Sequence, residues 1–411
     1  MRVLITVPWG ESLGGAEAML QAVLDGAREE GHELELVFFR PGPWPAALAE
    51  RGFRVSVLPA GRLREAHRWA LTVARLARMM RSRQPDLVLN WAAKTQLYGA
   101  PAAALAGMAD RVVWWQQAIP RRSWLDGSAT LLPAAAIGCY SGAAARAQAR
   151  LFPRRPTFIV AAGAPRPRQS ELRQPLELPS GVPIVGLVGR LQPWKGQDRL
   201  LRAQALLRER GHEMHLVIVG GTAYGLSEGY ARSLPALVRE LGLEQSVTMT
   251  GQVPDAGPYM EQMDVLVNAS DPEPFGIVLL EGMARGVAVL AVDSGGPGEF
   301  IEDGRSGVLA RSGEPAALAD ALETLLVSAE RREQIARTGR ESFERDYTDA
   351  AMRARFFASL AGVLGERARG AGERRNGHGH ANGGHAGADH AGAGGGDGEG
   401  AAVADGHGRD G

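Results

Sequence analysis

The segment DVLVNASDPEPFGIVLLEGMARGVAVLAVD, residues 264–293, carries the pattern that determines the fold. A short apolar run is followed by a turn, a helical stretch and a second apolar run. Two prolines and a glycine between Asp271 and Gly276 favour the turn, and we predict a helix from Gly276–Ile277 to about Arg285. A strand, a turn, a helix and a strand in this order predict a βαβ unit with parallel strands.

Short apolar runs alternate with longer amphipathic segments along most of the chain. The runs that we predict as strands are residues 3–7, 34–39, 54–58, 86–90, 111–115, 137–140, 183–190, 214–221, 246–251, 264–270 and 287–293. A Pro-rich stretch interrupts the alternation after the sixth run, and the pattern then begins again. The expected fold class is therefore α/β, with two Rossmann-like, doubly wound parallel-sheet domains facing a cleft. A shared ligand would lie in this cleft, at the carboxyl ends of the strands.

These patterns divide the 411 residues into five parts. We predict domains at 1–163 and 184–347, a linker at 164–183, a closing amphipathic helix at 348–365 and a tail at 366–411. The tail has almost no large apolar side chain, so we expect it to be disordered. Five of the nine histidines lie in this Gly- and His-rich tail, where a weak metal site and a plain solvated segment both fit the sequence.

The composition is that of an ordinary globular protein and argues against several classes. The formal net charge is zero, which gives no reason to expect nucleic acid as a partner. The single cysteine, Cys139, excludes a disulfide framework or a cysteine zinc site within one chain. The apolar run after Met1 is too short for a signal peptide, and no run approaches the ~18 apolar residues of a membrane-spanning helix. We therefore expect a cytoplasmic protein.

Two cations follow the first predicted strand of the second domain. Arg190 and Lys195 lie on a glycine-flanked loop directly after the strand that ends at Val188. A guanidinium fork and a compact ammonium together can neutralise a diphosphate. A solvated loop with basic residues would show the same local pattern, so the pair alone does not decide between these interpretations.

Two glutamates flank the start of the predicted helix at 276–285. The first amides of a helix have no intrahelical partner and form an anion site, and Gly276 lets a ligand approach the backbone. Glu281 lies about one and a half turns into the helix, where its carboxylate can accept hydrogen bonds from a vicinal diol such as a ribose. Glu273, on the turn, can reach hydroxyls of a group bound ahead of the helix. A capping or solvated role is the alternative for either residue.

The stretch EPFGIVLLE, residues 273–281, resembles the E-x7-E motif of family 4 glycosyltransferases, retaining enzymes of the GT-B fold. The resemblance covers essentially residues 1–365. It also includes GGAE (14–17), GRLQPWKG (189–196), LVIVGG (216–221), VTMTGQV (247–253), GGPGE (295–299) and the I-E-D-G-x-x-G turn (301–307). In this family a C-terminal helix crosses back to the first domain, and residues 348–364 would be that helix.

The resemblance implies transfer of a sugar from a nucleoside diphosphate sugar to an acceptor, without a metal and with the anomeric configuration retained. The setting would be bacterial glycan, glycolipid or metabolite synthesis. No cofactor is implied beyond the donor substrate. The acceptor would be a carbohydrate, a lipid-linked molecule or a small molecule, bound by the first domain.

The resemblance also implies roles for individual residues. Arg190 and Lys195 would hold the donor diphosphate, Glu281 the ribose, and Glu273 the transferred sugar, so that the catalytic residues are Glu273, Arg190 and Lys195. The remaining contacts to the donor would come from Phe275, Gly276 and Ile277 at the helix start, from Val253 beside the base, and from the amides of Gly14 and Gly15 across the cleft.

One departure from the family concerns the stretch RVVWWQQAIP, residues 111–120. Many members carry a histidine after this strand, near the reacting sugar, whereas this chain has Gln116 and Gln117. Gln117 can donate a hydrogen bond to a sugar hydroxyl but cannot gain charge. This difference supports an alternative, a non-catalytic sugar-nucleotide-binding subunit of a glycan-synthesis complex. A dinucleotide-dependent oxidoreductase is a weaker alternative, because no G-x-G-x-x-G follows either opening strand.

A basic amphipathic helix is predicted at residues 63–83, with six arginines. Such a helix can dock on anionic lipid, so peripheral contact with the inner face of the membrane is one expectation, and a solvated basic face is the ordinary alternative. Trp114, Trp115 and Trp124 can stack on sugar rings on the acceptor side, although Trp114 and Trp115 suit the core equally well.

Overall fold

The computed structural model describes residues 1–12, 14–121, 123–167, 176–222 and 227–377. Met1–Arg367 forms one unit and Ala368–Gly411 a second. Two predictions fall on other residues: part of the linker, at 168–175, and the tail from 378 onward with its histidines lie outside the described residues.

Within the described residues, seven parallel strands form the sheet of the first half of the chain, here called lobe 1. The strands are β1 (Arg2–Val7), β2 (Glu33–Phe38), β3 (Arg54–Val57), β4 (Leu87–Asn90), β5 (Val112–Gln116), β6 (Ala136–Cys139) and β7 (Thr157–Ile159). Their order is β3-β2-β1-β4-β5-β6-β7, and all neighbours pair in parallel. This is a doubly wound order, in which the chain reverses direction across the sheet between β1 and β4.

The helices of lobe 1 connect these strands and cover both faces of the sheet. They are α1 (Gly15–Ala27), α2 (Pro43–Glu50), α3 (Ala66–Arg83), α4 (Ala93–Leu105), α5 (Trp124–Leu131) and α6 (Gly142–Gln148). The basic face predicted on α3 is partly used within the protein, because Arg83 pairs with Glu35 and Arg81 donates to the carbonyl of Leu105. None of the described helices is long and apolar enough to cross a membrane.

Lobe 2 repeats the same architecture with six parallel strands among its described residues. They are β8 (Ile184–Val188), β9 (His215–Val219), β10 (Val247–Gly251), β11 (Val265–Asn268), β12 (Ala288–Val292) and β13 (Val308–Ala310). The order is β10-β9-β8-β11-β12-β13, so its reversal point lies between β8 and β11. The helices are α7 (Gln197–Glu209), α8 (Glu228–Glu240), α9 (Gly257–Met260), α10 (Ile277–Ala284), α11 (Pro315–Leu326) and α12 (Ala329–Asp346).

The last helix, α13 (Asp349–Gly377), packs back against lobe 1. Phe356 lies in the core beside the stacked rings of Trp91 and Trp115, and Arg353 binds Glu30 at 2.7 Å. The helix ends twelve residues later than the 348–365 that we predicted, so the start of the predicted tail is helical. The extension is rich in Ala, Arg and Glu, which favour helix.

The strands are nearly continuous apolar runs because both faces of each sheet are covered. Trp114 and Trp115 on β5 are fully buried, which assigns them to the core and not to sugar stacking, whereas Trp124 is largely exposed. The two reversal points place the loops after β1, β4, β8 and β11 around one cleft, since residues from all four loops line the same cavity. Open α/β sheets bind their ligands at this position, beside the carboxyl ends of the strands at the reversal point.

Candidate active site

A cavity of about 820 Å³ lies between the lobes. It is lined by ten of the eleven residues predicted for the site: Gly14, Gly15, Gln117, Arg190, Lys195, Glu273, Phe275, Gly276, Ile277 and Glu281. The exception is Val253, which is half-buried beyond β10, packs against apolar core residues and does not line this cavity. The fold therefore places residues as distant in the sequence as Gly14 and Glu281, which are 267 positions apart, around one cavity.

Lys195 and Glu273 form an ion pair at the floor of the cavity. The Nζ atom of Lys195 lies 2.7 Å from Oε2 of Glu273, and the two side chains are only 18% and 9% exposed. The ammonium also lies 4.1 Å from the ring centre of Trp194, a cation–π distance. The turn after β8 and the turn after β11 thus hold each other in place through opposite charges.

Glu273 remains ionised at neutral pH despite its burial. Burial alone would raise its pKa, but Lys195 and a hydrogen bond from Nδ2 of Asn268, at 3.2 Å, hold the pKa below its ordinary value. Asn268 was not among our predicted residues. The sequence pattern could have indicated Asn268, because a polar side chain ends an otherwise apolar strand directly before the turn.

The N-terminus of α10 opens into the cavity as predicted. Gly276 is the N-cap residue with φ of 100°, a left-handed conformation that strongly favours glycine, and no side chain caps the helix. The amides of the first turn are therefore left for a bound group. Gly276, Ile277 and Val278 all line the cavity, so an anion in the cleft can lie on the helix axis.

Glu281 faces the cavity from the second turn of α10. Enclosure by the protein raises the pKa of its carboxyl to about 7; Arg285 opposes the shift and Asp255 adds to it. Near neutral pH the carboxyl group is therefore partly protonated. Carboxyl groups whose pKa is shifted toward neutral pH are common in the clefts of functional sites.

Lobe 1 contributes the turn after β1. A Cβ on Gly15 would lie 3.2 Å from Cδ1 of Ile277, a tight contact, so the start of α1 lies directly against α10. Glu17, in the first turn of α1, is 5% exposed and borders the cavity near Arg190. Burial raises the pKa of Glu17, while the charge of Arg190 acts against this shift. Glu17 was not among the predicted site residues.

Gln117 lines the cavity where many relatives of the resembled family carry histidine. Its side-chain amide donates to the carbonyl of Trp91, so one donor hydrogen is used within lobe 1. Gln116, by contrast, is buried and donates to Gln148 at 3.2 Å. Only the second of the two glutamines is therefore placed to contact a ligand.

Two polar contacts join the lobes beside the cavity. Both oxygens of Glu299, on the loop after β12, accept hydrogen bonds from the amides of Gly142 and Ala143 at the start of α6, each at 2.6 Å. Ser141 donates to the carbonyl of Pro274 at 2.8 Å. Because these groups lie on different lobes, they hold the cleft at its present width.

Sequence comparison matches mainly the second half of the chain to a known family. Residues 168–342 match the family model of the group 1 glycosyl transferases. A D-inositol 3-phosphate glycosyltransferase from Nocardia farcinica is 40% identical over 164 residues, 39% of this chain, and the match spans only 36% of that relative's length. LpsE, a lipopolysaccharide core biosynthesis glycosyltransferase from Rhizobium meliloti, is 26% identical over 85% of this chain and 96% of its own.

Solved structures resemble both lobes together. The crystal structure of Alr3699/HepE from Anabaena, in complex with UDP and glucose, has a TM-score of 0.77 at 24% identity and covers 87% of this chain and 99% of its own. Sucrose-phosphate synthase from Thermosynechococcus elongatus has a TM-score of 0.72 at 18% identity and covers 89% and 99%. At these identities the likeness shows the fold. The two lobes thus have the GT-B fold, and the similarity to the group 1 glycosyl transferases lies in residues 168–342.

Proposed function

We propose that this protein is a retaining glycosyltransferase that moves a sugar from a nucleoside diphosphate sugar to an acceptor. The observation that carries the proposal is the convergence, in one interlobe cavity, of Arg190, Lys195, the uncapped start of α10 and the carboxyl groups of Glu273 and Glu281. A polyanion flanked by hydroxyl groups on both sides is the ligand that such a set would recognise.

The donor would lie along α10. Its diphosphate would occupy the space between Arg190, Lys195 and the first amides of the helix. The ribose diol would donate hydrogen bonds to Glu281, one turn further in, and the sugar would lie against Glu273. The cavity, at about 820 Å³, is within the usual range for small-molecule sites. Val253 is proposed as a neighbour of the base only if the donor extends beyond this cavity.

The reaction would break the bond between the anomeric carbon and the donor phosphate oxygen and form a bond to the acceptor oxygen on the same face. The acceptor proton would pass to the departing phosphate oxygen, so no enzyme nucleophile is needed. Arg190, Lys195 and the amides of α10 would stabilise the negative charge that grows on the leaving diphosphate. The anomeric carbon would carry oxocarbenium-like charge in the transition state, as in glycoside hydrolysis.

Fixed cations would fill the role that a divalent metal plays in other sugar transferases. Among the described residues, no group of three or more His, Cys, Asp or Glu side chains is arranged to hold a metal ion. Because Arg190 and Lys195 would neutralise the diphosphate, we expect turnover to persist in excess EDTA. A cytoplasmic protein with lobe 1 as the acceptor side, acting in bacterial glycan, glycolipid or metabolite synthesis, fits the kinds of reaction named for the Nocardia and Rhizobium relatives.

The test is a screen of purified full-length protein against UDP-, GDP-, ADP- and dTDP-sugars. Thermal shift would identify the nucleotide, and release of nucleoside diphosphate would report turnover with candidate acceptors, including D-inositol 3-phosphate. The product's anomeric proton coupling by NMR would show whether configuration is retained. Inversion, or absence of binding by any nucleoside diphosphate, would refute the proposal.

A non-catalytic nucleotide-sugar-binding subunit is the second candidate, favoured by Gln117 at a cavity position where a titratable histidine is expected. This candidate predicts nucleoside diphosphate binding without turnover. Gln117→His is the discriminating variant: a large gain in turnover over wild type would support a protein that lost activity, whereas equal or lower turnover would support an enzyme adapted to glutamine.

A further inference from the structure

A second pocket, of about 340 Å³, lies in lobe 1 at the carboxyl ends of β2, β3 and β4. Its lining is Arg40, Ala60, Gly61, Arg62, Glu65, Arg68 and Lys94. Arg40 and Lys94 also line the donor cavity, so the two spaces are adjacent and share these two side chains as a boundary. We call this lobe 1 space the basic pocket.

Positive charge exceeds negative charge in the basic pocket. Four cationic side chains face a single carboxylate, that of Glu65. This carboxylate is already engaged, because it accepts a hydrogen bond from the amide of Arg62 at 3.0 Å and contacts Nη1 of Arg68 at 3.4 Å. Arg40 and Lys94 have no ion-pair partner within the part of the chain that the structure describes.

The cations also lie at the unfavourable ends of two helices. Lys94 is in the first turn of α4 and Arg68 in the first turn of α3. No side chain caps the start of α3, whereas at the start of α4 the hydroxyl of Thr95 accepts a hydrogen bond from the amide of Ala92 at 3.0 Å. A helix N-terminus carries partial positive charge, so it repels cations and attracts anions. Lys94 is half-buried, and burial together with the nearby Arg40 lowers the pKa of its ammonium group. A bound anion would relieve each of these unfavourable interactions.

The amino-acid composition gives an independent indication. The chain has 46 basic residues but only two lysines, Lys94 and Lys195. Both line the donor cavity, one from each lobe, although the cavity involves only a small part of the chain. Lysine provides a compact point charge with three donors, whereas arginine is larger and planar. Exposed basic positions elsewhere are arginine, so the two lysines are concentrated where small anionic groups would bind.

We propose that the basic pocket binds a phosphate group of the acceptor. Lys94 and Arg40 would contact this phosphate directly, with Arg62 and Arg68 at the outer rim. The inference rests on the proposed glycosyltransferase function, since it assigns the donor diphosphate to Lys195 and the acceptor phosphate to Lys94. With its phosphate held in the basic pocket, the rest of the acceptor would extend past Arg40 and Lys94, which border both spaces, toward the donor sugar.

The two lysines allow a direct footprinting experiment on the whole protein. A lysine-reactive succinimidyl ester is applied at low concentration, and mass spectrometry measures the labelling rate of each lysine. Saturating nucleoside diphosphate is expected to protect Lys195. Adding inorganic phosphate to that complex should slow labelling of Lys94 at least threefold, compared with sodium chloride of equal ionic strength.

The outcomes for donor and acceptor are separable. If nucleoside diphosphate does not protect Lys195, the proposed function fails. If it does, but phosphate leaves the labelling of Lys94 unchanged, the acceptor inference fails and the donor site stands. Two further arms identify the source of the phosphate: protection by D-inositol 3-phosphate and not by inositol indicates a soluble ester, and protection by phosphatidylglycerol vesicles and not by phosphatidylcholine vesicles indicates a lipid headgroup.

Variants provide a kinetic test once an acceptor is found. Lys94→Gln and Arg40→Gln should raise the KM for a phosphorylated acceptor about tenfold or more, with a smaller change in the donor KM. Lys94→Arg keeps the charge and should restore most of the affinity, which a purely structural role would not predict. Arg75→Gln, on the exposed face of α3 outside both cavities, is the charge-matched control. Equal effects of Lys94→Gln on phosphorylated and neutral acceptors would overturn the inference.

Discussion

The raised pKa of Glu281 makes the cavity between the lobes a source of instability that depends on pH. Its folded pKa of about 7 exceeds the ordinary value of 4.5, so the folded protein holds this proton more tightly than the unfolded chain does. Below pH 4.5 the group is protonated in both states and adds no penalty. As pH rises from 4.5 to 7, the unfolded chain loses the proton first and stability falls; above pH 7 the full penalty applies.

The size of the penalty follows from the two pKa values. A change from 4.5 to about 7 corresponds to about 3 kcal/mol. Glu281→Gln has no charge at any pH and nearly the same shape. We therefore expect the free energy of unfolding of this variant to exceed that of wild type by less than about 1 kcal/mol near pH 5 and by about 3 kcal/mol at pH 8. The same substitution should weaken nucleoside diphosphate binding, because the ribose diol would lose an anionic acceptor.

Urea unfolding followed by circular dichroism, on ligand-free protein between pH 5 and 8, measures the first effect. Calorimetric titration with the nucleoside diphosphate measures the second, and the ratio of wild-type to variant affinity removes the nucleotide's own titration. Glu240→Gln, an equal charge change on the exposed surface of α8, is the control. Parallel stability profiles for wild type and Glu281→Gln across this pH range would refute the reasoning, since they would mean that the carboxyl is well solvated.

Three other substitutions test separate parts of the site. Lys195→Ala should cut turnover about 10²-fold and also destabilise the fold by about 3–5 kcal/mol, because it leaves Glu273 buried without its cation, to be measured by nucleoside diphosphate release and urea unfolding. Gly276→Ala forces a Cβ onto a residue with φ of 100° and within 2.9 Å of Leu279, so a stability loss of about 1–3 kcal/mol and weaker nucleotide binding are expected in the same assays. Glu299→Ala removes both acceptors at the start of α6 and should cost about 1–2 kcal/mol and widen the cleft in solution scattering, whereas unchanged scattering would mean that Glu299 does not hold the lobes.

The parts of the fold that could be predicted are those in which burial produces a long local pattern. The predicted run at 214–221 contains β9 (His215–Val219), and the helix predicted at 276–285 corresponds to α10 (Ile277–Ala284). β9 is fully buried, and α10 is apolar apart from Glu281 and Gly282, so both elements give clear apolar runs. The strands β7 and β13 were missed because three residues at the edge of a sheet give no periodic signal.

The site was predictable as a set of residues but not as a set of contacts. Arg190, Lys195, Glu273 and Glu281 follow strand ends, and topology alone brings the carboxyl ends of β8 and β11 to one edge. Glu17 and Lys94 were not identified because each belongs to a helix of lobe 1 whose sequence is otherwise unremarkable. Their relevance appears only when the first turns of α1 and α4 are placed beside the second lobe.

The ion pair between Lys195 and Glu273 shows that the contacts within a site carry information that a list of its residues does not. From the sequence, the lysine was assigned to phosphate and the glutamate to sugar hydroxyls, as if each were independent. In the structure each is the main counter-ion of the other, so neither side chain is buried with an unbalanced charge. Under the proposed function, Lys195 would also bind the donor diphosphate. Glu273 would then share less of its negative charge with Lys195, and its oxygens would be freer to accept hydrogen bonds from the sugar. The ion pair would then orient both side chains before the donor arrives, and little reorganisation would be needed as the leaving group gains charge.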